Sequence, residues 1–190
     1  MEQINGHSRF LPPSPYRRGA NDGFYFGLYL TVMFFAIVIS VKVSVFSLLA
    51  FAMMLFVPFL IYRWLRRAYV EDKGRSQLSA LWMQGIVIFA CGSLIAGVVA
   101  TIYLKWIDPD FIVNRLNEAI ELYKDSDWPQ GREIATVMQE MIDYNFVPSA
   151  IAIIFEMIWL SIFSGSLLSL LMSLLARARR VERETDFPTS

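Results

Sequence analysis

Within IAIIFEMIWLSIFSGS, residues 151–166, a single carboxylate, Glu156, stands among apolar side chains. An acid in such surroundings can bind a proton or pair with a base, and intramembrane ionisable groups often mark ion paths. Lys42, the only formally charged residue between Phe24 and Tyr62, is the base expected at a similar level. The depth of Glu156 separates two readings. If the hydrocarbon crossing ends at Leu175, just before Arg177, Glu156 sits at its outer edge and is an interfacial acid beside Lys42. If the crossing starts at Val147, the acid lies roughly 13 Å in, where a protonatable transport site would belong. Trp159, one turn further on, favours the interfacial position, because tryptophan prefers the membrane–water boundary.

Other reactive groups are few. Cys91 and His7 are the single cysteine and the single histidine, which precludes an intramolecular disulfide and leaves no imidazole set for zinc. No Ser-His-Asp set, Cys-His pair or Gly-rich phosphate loop can be assembled. The sequence therefore predicts no enzyme activity, no catalytic residues, no metal and no cofactor. A formal net charge of zero gives no reason to expect nucleic acid as a partner.

The elements that position these residues are long apolar runs. The chain is 56% hydrophobic and 18% charged, with a mean hydropathy of +0.47. Its charges are crowded between windows that lack them, and about 20 apolar residues suffice to cross a bilayer. The expected fold is all-α and polytopic, with four transmembrane helices at about 24–41, 45–62, 80–103 and 148–175, arranged in two hairpins. These lie in a four-helix transmembrane domain, 23–180, flanked by cytoplasmic tails 1–22 and 181–190. Asn21 or Asp22 is the expected cap of the first helix. The bend ISVKVSV around Lys42 belongs at the surface, since an unpaired strand cannot rest in lipid. Pro58 should kink the second helix.

Charge asymmetry orients the spans. Twelve of the 17 basic residues fall in the two tails and the loop RWLRRAYVEDKGRSQ, and five on the opposite side, so both termini are expected in the cytoplasm. Arg17-Arg18 ahead of an apolar run resembles an export signal, but the following GAND and the long run read as a retained anchor.

Residues 104–147 form the expected extracytoplasmic insert, an amphipathic helical hairpin. Asp110 would cap a helix carrying Ile112, Leu116, Ile120 and Tyr123 on one stripe, and a second helix would carry Ile134, Val137, Met138 and Met141. Pro148 is expected in the first turn of the fourth span. With nine acids and four bases the insert suggests calcium, yet neither Asp108-Pro-Asp110 nor Asp125-Ser-Asp127 has a cation-loop pattern. Helix caps and a solvated face account for them.

Small residues recur every fourth position. The ladders Gly92, Ala96, Ala100 in the third span and Ser161, Gly165, Ser169, Ser173 in the fourth predict that these helices pack along them, within one chain or between chains. A shorter ladder, Gly23, Gly27 and Thr31, marks the first span.

The hairpin end FLIYRWLRR and the stretch KGRSQLSALWMQGIVIFACGSLIAGVVATIYLKWIDPDF resemble the bacterial membrane family known as domain of unknown function 4199, over about residues 23–180. The resemblance implies four spans, a basic cytoplasmic loop and a bacterial inner-membrane location, and it implies no catalytic residues. The leading expectation is a small accessory or scaffolding protein acting through helix contacts and its exported hairpin, with the lipid bilayer and a membrane-protein partner or second copy as its contacts. The alternative is a small transporter or channel-like oligomer using Glu156. Arginines of the second loop and C-terminal tail could also hold anionic head groups, though topological anchoring explains them.

Overall fold

A computed structural model describes residues 14–125, 128–144 and 146–178. His7, most of the expected tail 1–22, and the tail 181–190 lie outside the described residues. Among the described residues there are six α-helices: α1 Pro15–Ser40, α2 Val45–Glu71, α3 Leu78–Ile102, α4 Phe111–Lys124, α5 Pro129–Asp143 and α6 Ala150–Ala178. A π-helical turn, Tyr103–Ile107, extends α3. α1, α2, α6 and α3 with its π turn are long and apolar enough to cross a membrane.

Helix α1 starts at Pro15, not at the expected Asn21–Asp22 cap. Ser14 accepts a hydrogen bond from the Arg17 N–H, and Pro15 occupies the first turn, where its missing N–H costs nothing. Asp22 is thereby placed inside the helix. α2 likewise outruns the expected boundary at 62: its 27 residues reach Glu71 through Pro58, about 40 Å, longer than a hydrocarbon core of about 30 Å. Hydropathy ends at the first arginine, but the helical hydrogen bonds do not. Pro148 precedes α6 instead of sitting in its first turn, because Ser149 takes the capping role and accepts the Ala152 N–H at 3.3 Å.

The long helices form a closed ring of neighbours in the order α1, α3, α6, α2, and α2 and α3 touch only slightly across it. Gly19 lies against Gln84, Gly23 against Cys91 and Gly27 against Ile95, so α1 and α3 run parallel. Gly85 lies against Ser169, Phe89 against Gly165 and Gly97 against Ile158, so α3 and α6 run antiparallel. α3 is the central helix: 39% of its most apolar window is buried, against 11% for α2 and α6. Phe26, Ile61, Leu65, Leu81, Ile88 and Phe89 form the main core. A second cluster, Ala100, Leu104 and Ile154, anchors α4 through Phe111 and Ile112. α4 and α5 pack on each other.

Candidate functional site

Arg18 and Asp22 are one turn apart on α1, and Gly19 and Gly23 lie beside them. The glycines admit α3 at backbone distance: a Cβ on Gly19 would stand 2.8 Å from the Gln84 carbonyl oxygen. That approach brings the Gln84 side chain onto α1, where its Nε2 donates to Asp22 Oδ2 at 3.1 Å. Both partners are buried, Asp22 at 7% and Gln84 at 2% exposure. An acid can occupy such a position when a donor meets it there.

The second half of the cluster comes from the end of α2. Lys73 and Gly74 both have positive φ, 52° and 73°. The Lys73 N–H bonds to the Val70 carbonyl and the Gly74 N–H to the Tyr69 carbonyl, which is a Schellman termination with Asp72 as the C-cap. A carboxylate at a helix C-terminus opposes the helix dipole. Arg18 offsets this, donating to Asp72 Oδ1 at 2.8 Å and approaching Glu71 at 3.9 Å. Ser76 donates to the other Asp72 oxygen. Burial works against the Asp72 charge, but the hydrogen bonds from Arg18 and Ser76 and the guanidinium charge outweigh it and hold the carboxyl below its ordinary value. A small cavity of about 130 Å³ lies among Ser14, Arg18, Asp72, Ser76 and Gln84. The arrangement ties the first turn of α1 to the α2–α3 connection and to α3.

Farther along the bundle the buried polar groups serve their own helices. Ser93 donates to the Phe89 carbonyl and Ser173 to the Ser169 carbonyl, each at 2.6 Å. The Ser169 hydroxyl has no hydrogen-bond partner and faces Gly85. Among the described residues no group of His, Cys, Asp and Glu could hold a metal ion.

Glu156 is exposed on α6, between Phe155 and Met157 and near Trp159, which are themselves 71%, 65% and 70% exposed. Lys42 is exposed in the turn between α1 and α2 and lines a cleft against α4. The structure does not bring the two together; no ion pair joins them among the described residues. The small-residue ladders divide between two seams. Gly165, Ser169 and Ser173 are buried on α6, Ser161 and Ala96 are half-buried, and Ala100 belongs to the second core cluster. Gly92, expected toward the fourth span, faces Phe26 of α1 instead, whereas Gly85 and Gly97 on the same helix face α6. Sequence reasoning takes Asp22 only as a helix cap and does not single out Gln84 or Asp72. Their signal was a basic–acidic pair four residues apart leading an apolar run, and one amide, Gln84, inside another.

The fold is thus an all-helical bundle built on four helices of membrane-spanning length and apolarity. The chain belongs to the family described as "Protein of unknown function (DUF4199)", whose model matches residues 21–178. No curated protein and no solved structure matches it.

Proposed function

We propose that the protein is a non-catalytic accessory or scaffolding protein of the bacterial inner membrane, with both termini cytoplasmic and α4–α5 exported. The reading is supported most by how the interior is used: glycines of α1, α3 and α6 lie against neighbouring side chains and backbone, and the bonded serines close onto their own helices. Such an interior suits a rigid platform more than a conduit. The excess of basic residues at the end bearing Arg18, Arg66 and Arg75 supports the orientation. The α4–α5 pair leaves Leu122, Ile134 and Val137 exposed, which suits contact with another protein.

A photo-crosslinking residue at Val137 on α5 tests this in intact cells, with Phe51 on α2 as a lipid-facing control. A discrete protein adduct from position 137 and none from 51 is expected; none from either position contradicts a scaffolding role. A second reading, a transporter-like oligomer, has one observation in its favour. Glu156 lies on the exposed face of α6, where two copies meeting along that helix would enclose it. Loss of a proton-coupled flux in vesicles carrying Glu156→Gln would select that reading.

A further inference from the structure

Between the last turns of α1 and helix α4 lies a cleft of about 720 Å³, within the roughly 300–1,000 Å³ of small-molecule sites. Its three surfaces differ in chemistry. Phe35, Val38 and Ile39 give an apolar wall continuous with the membrane-spanning part of α1. Tyr103 and Phe111 give an aromatic floor, their rings edge to face with centroids 6.2 Å apart. The opposite wall is α4, where Asn114, Arg115, Glu118 and Glu121 recur at helical spacing on one face. The π turn Tyr103–Ile107 carries the chain from α3 toward this wall, and such turns frequently accompany functional sites.

Lys42 and Asp108 complete the lining, so the cleft holds two cations and three carboxylates. Arg115 pairs with Glu118 and stacks over the Phe111 ring at 5.7 Å, while its buried Nε has no hydrogen-bond partner. Lys42, Asp108 and Glu121 form no ion pair with another described residue. The cleft therefore offers unmatched donors and unmatched carboxylates together, beside an apolar wall at the end of a membrane-spanning helix.

One kind of molecule meets all of these at once. We infer that the cleft binds a phospholipid whose head group carries a primary amine, with the phosphate on Lys42 and Arg115, the ammonium on Asp108 and Glu121, and an acyl chain along Phe35 and Val38. An anionic head group without an amine would leave the excess of carboxylates unanswered. A quaternary ammonium would supply the charge but no N–H donor. The inference stands whether or not α4–α5 also engages a protein.

The test is native mass spectrometry of the full chain in mild detergent with equal amounts of phosphatidylethanolamine, phosphatidylglycerol and phosphatidylcholine of identical acyl chains. Phosphatidylethanolamine should be retained about tenfold over either of the others, the scale of a hydrogen bond to a charged group. Asp108→Asn with Glu121→Gln should abolish that preference, and Lys42→Ala should lower retention of all three lipids. Glu140→Gln on α5 should change nothing. Equal retention of phosphatidylcholine, or a preference that survives the double substitution, overturns the inference. On the unmodified chain, a photoactivatable phosphatidylethanolamine should label residues 103–121; labelling confined elsewhere overturns it too.

Discussion

Helices α1 and α2 flank the same turn and cross the same bundle, yet they are held in place differently. α1 meets α3 along Gly19, Gly23 and Gly27, with backbone and side-chain bases in direct contact. α2 has no glycine in its 27 residues, and its buried side chains are chiefly Ile61, Leu65 and Ala68 in its second half. It is tied instead at separate points: the Tyr29 hydroxyl donates to the Met53 carbonyl at 2.5 Å, Arg66 donates to the Ala176 carbonyl at 2.8 Å, and Asp72 receives Arg18. In lipid, burying one apolar side chain against another gains little over lipid tails, so helices associate through close approach or through hydrogen bonds. The glycine seam joins α1 to α3, whereas α2 is joined to its neighbours by hydrogen bonds without one, and substitutions should distinguish the two means.

The largest effect is expected in the α1–α3 seam. A Cβ on Gly23 would lie 2.8 Å from Cys91 Cβ and 3.2 Å from the Ile88 carbonyl oxygen, neither of which is the end of a flexible side chain. Gly23→Val should destabilise the bundle by about 3 kcal/mol, at the upper end of overpacking costs. Ala52→Val, at an exposed position on α2, should change stability by no more than about 0.5 kcal/mol. Thermal melts of both in one detergent measure the contrast. Equal losses would break the distinction between seam and tie.

Next comes the polar tie at the end of α2. Arg18→Ala leaves Asp72 part-buried without its guanidinium, a loss of about 1–3 kcal/mol. Hydrogen exchange should rise first in the α2–α3 connection, residues 72–77, before it rises along α3. Arg18→Lys should restore part of the loss, since a point charge replaces only some of the fork of donors. No selective rise at 72–77 would mean that α2 is held by something other than this cluster.

How much of this was legible in the sequence follows from the same division. Hydropathy is a property of windows, so the four long helices could be read directly, and the small residues of α3 and α6 stood out by period. The destination of each small residue could not be read, because Gly92 and Gly97 lie on the same helix but face different neighbours. Glu156 attracted attention by standing alone among apolar residues, a local property, whereas the burial of Asp22 depends on α3 approaching Gly19 and Gly23 from elsewhere in the chain. The helix start was misplaced for a related reason. Asn21 and Asp22 are good capping residues, and only the Ser14–Pro15 pair upstream, with Arg18 and Asp22 used in tertiary contacts, shows why the helix begins earlier.

A smaller effect concerns pH. The Asp72 carboxyl titrates lower in the folded chain, beside Arg18 and Ser76, than in the unfolded one. Its contribution is therefore complete above the unfolded value and is lost as pH falls through the folded one. Melts between pH 6 and pH 3 should show a steeper loss for the native chain than for Asp72→Asn, whose low-pH limb should be flatter. The size should be a fraction of the Arg18→Ala loss, because Asp72 keeps Ser76 and partial solvent contact. Parallel curves would place the acid sensitivity elsewhere.

The smallest expected change is a gain. Lys73 adopts φ 52° at the position where a Schellman termination favours glycine. An L-residue there costs about 1–2 kcal/mol, while glycine loses about 0.5–1 kcal/mol through its freer unfolded chain. Lys73→Gly should therefore stabilise by roughly 0.5 kcal/mol, and Gly74→Ala, at φ 73°, should destabilise by about 1 kcal/mol. Because the termination fixes where Asp72 meets Arg18, the gain should appear as slower exchange at 72–77 and leave the α1–α3 seam unchanged. Combined with Gly23→Val, it should add to within about 0.5 kcal/mol. A larger coupling would mean that the α2 anchor and the glycine seam form a single cooperative unit, and that the two ways of holding a helix depend on each other in this bundle.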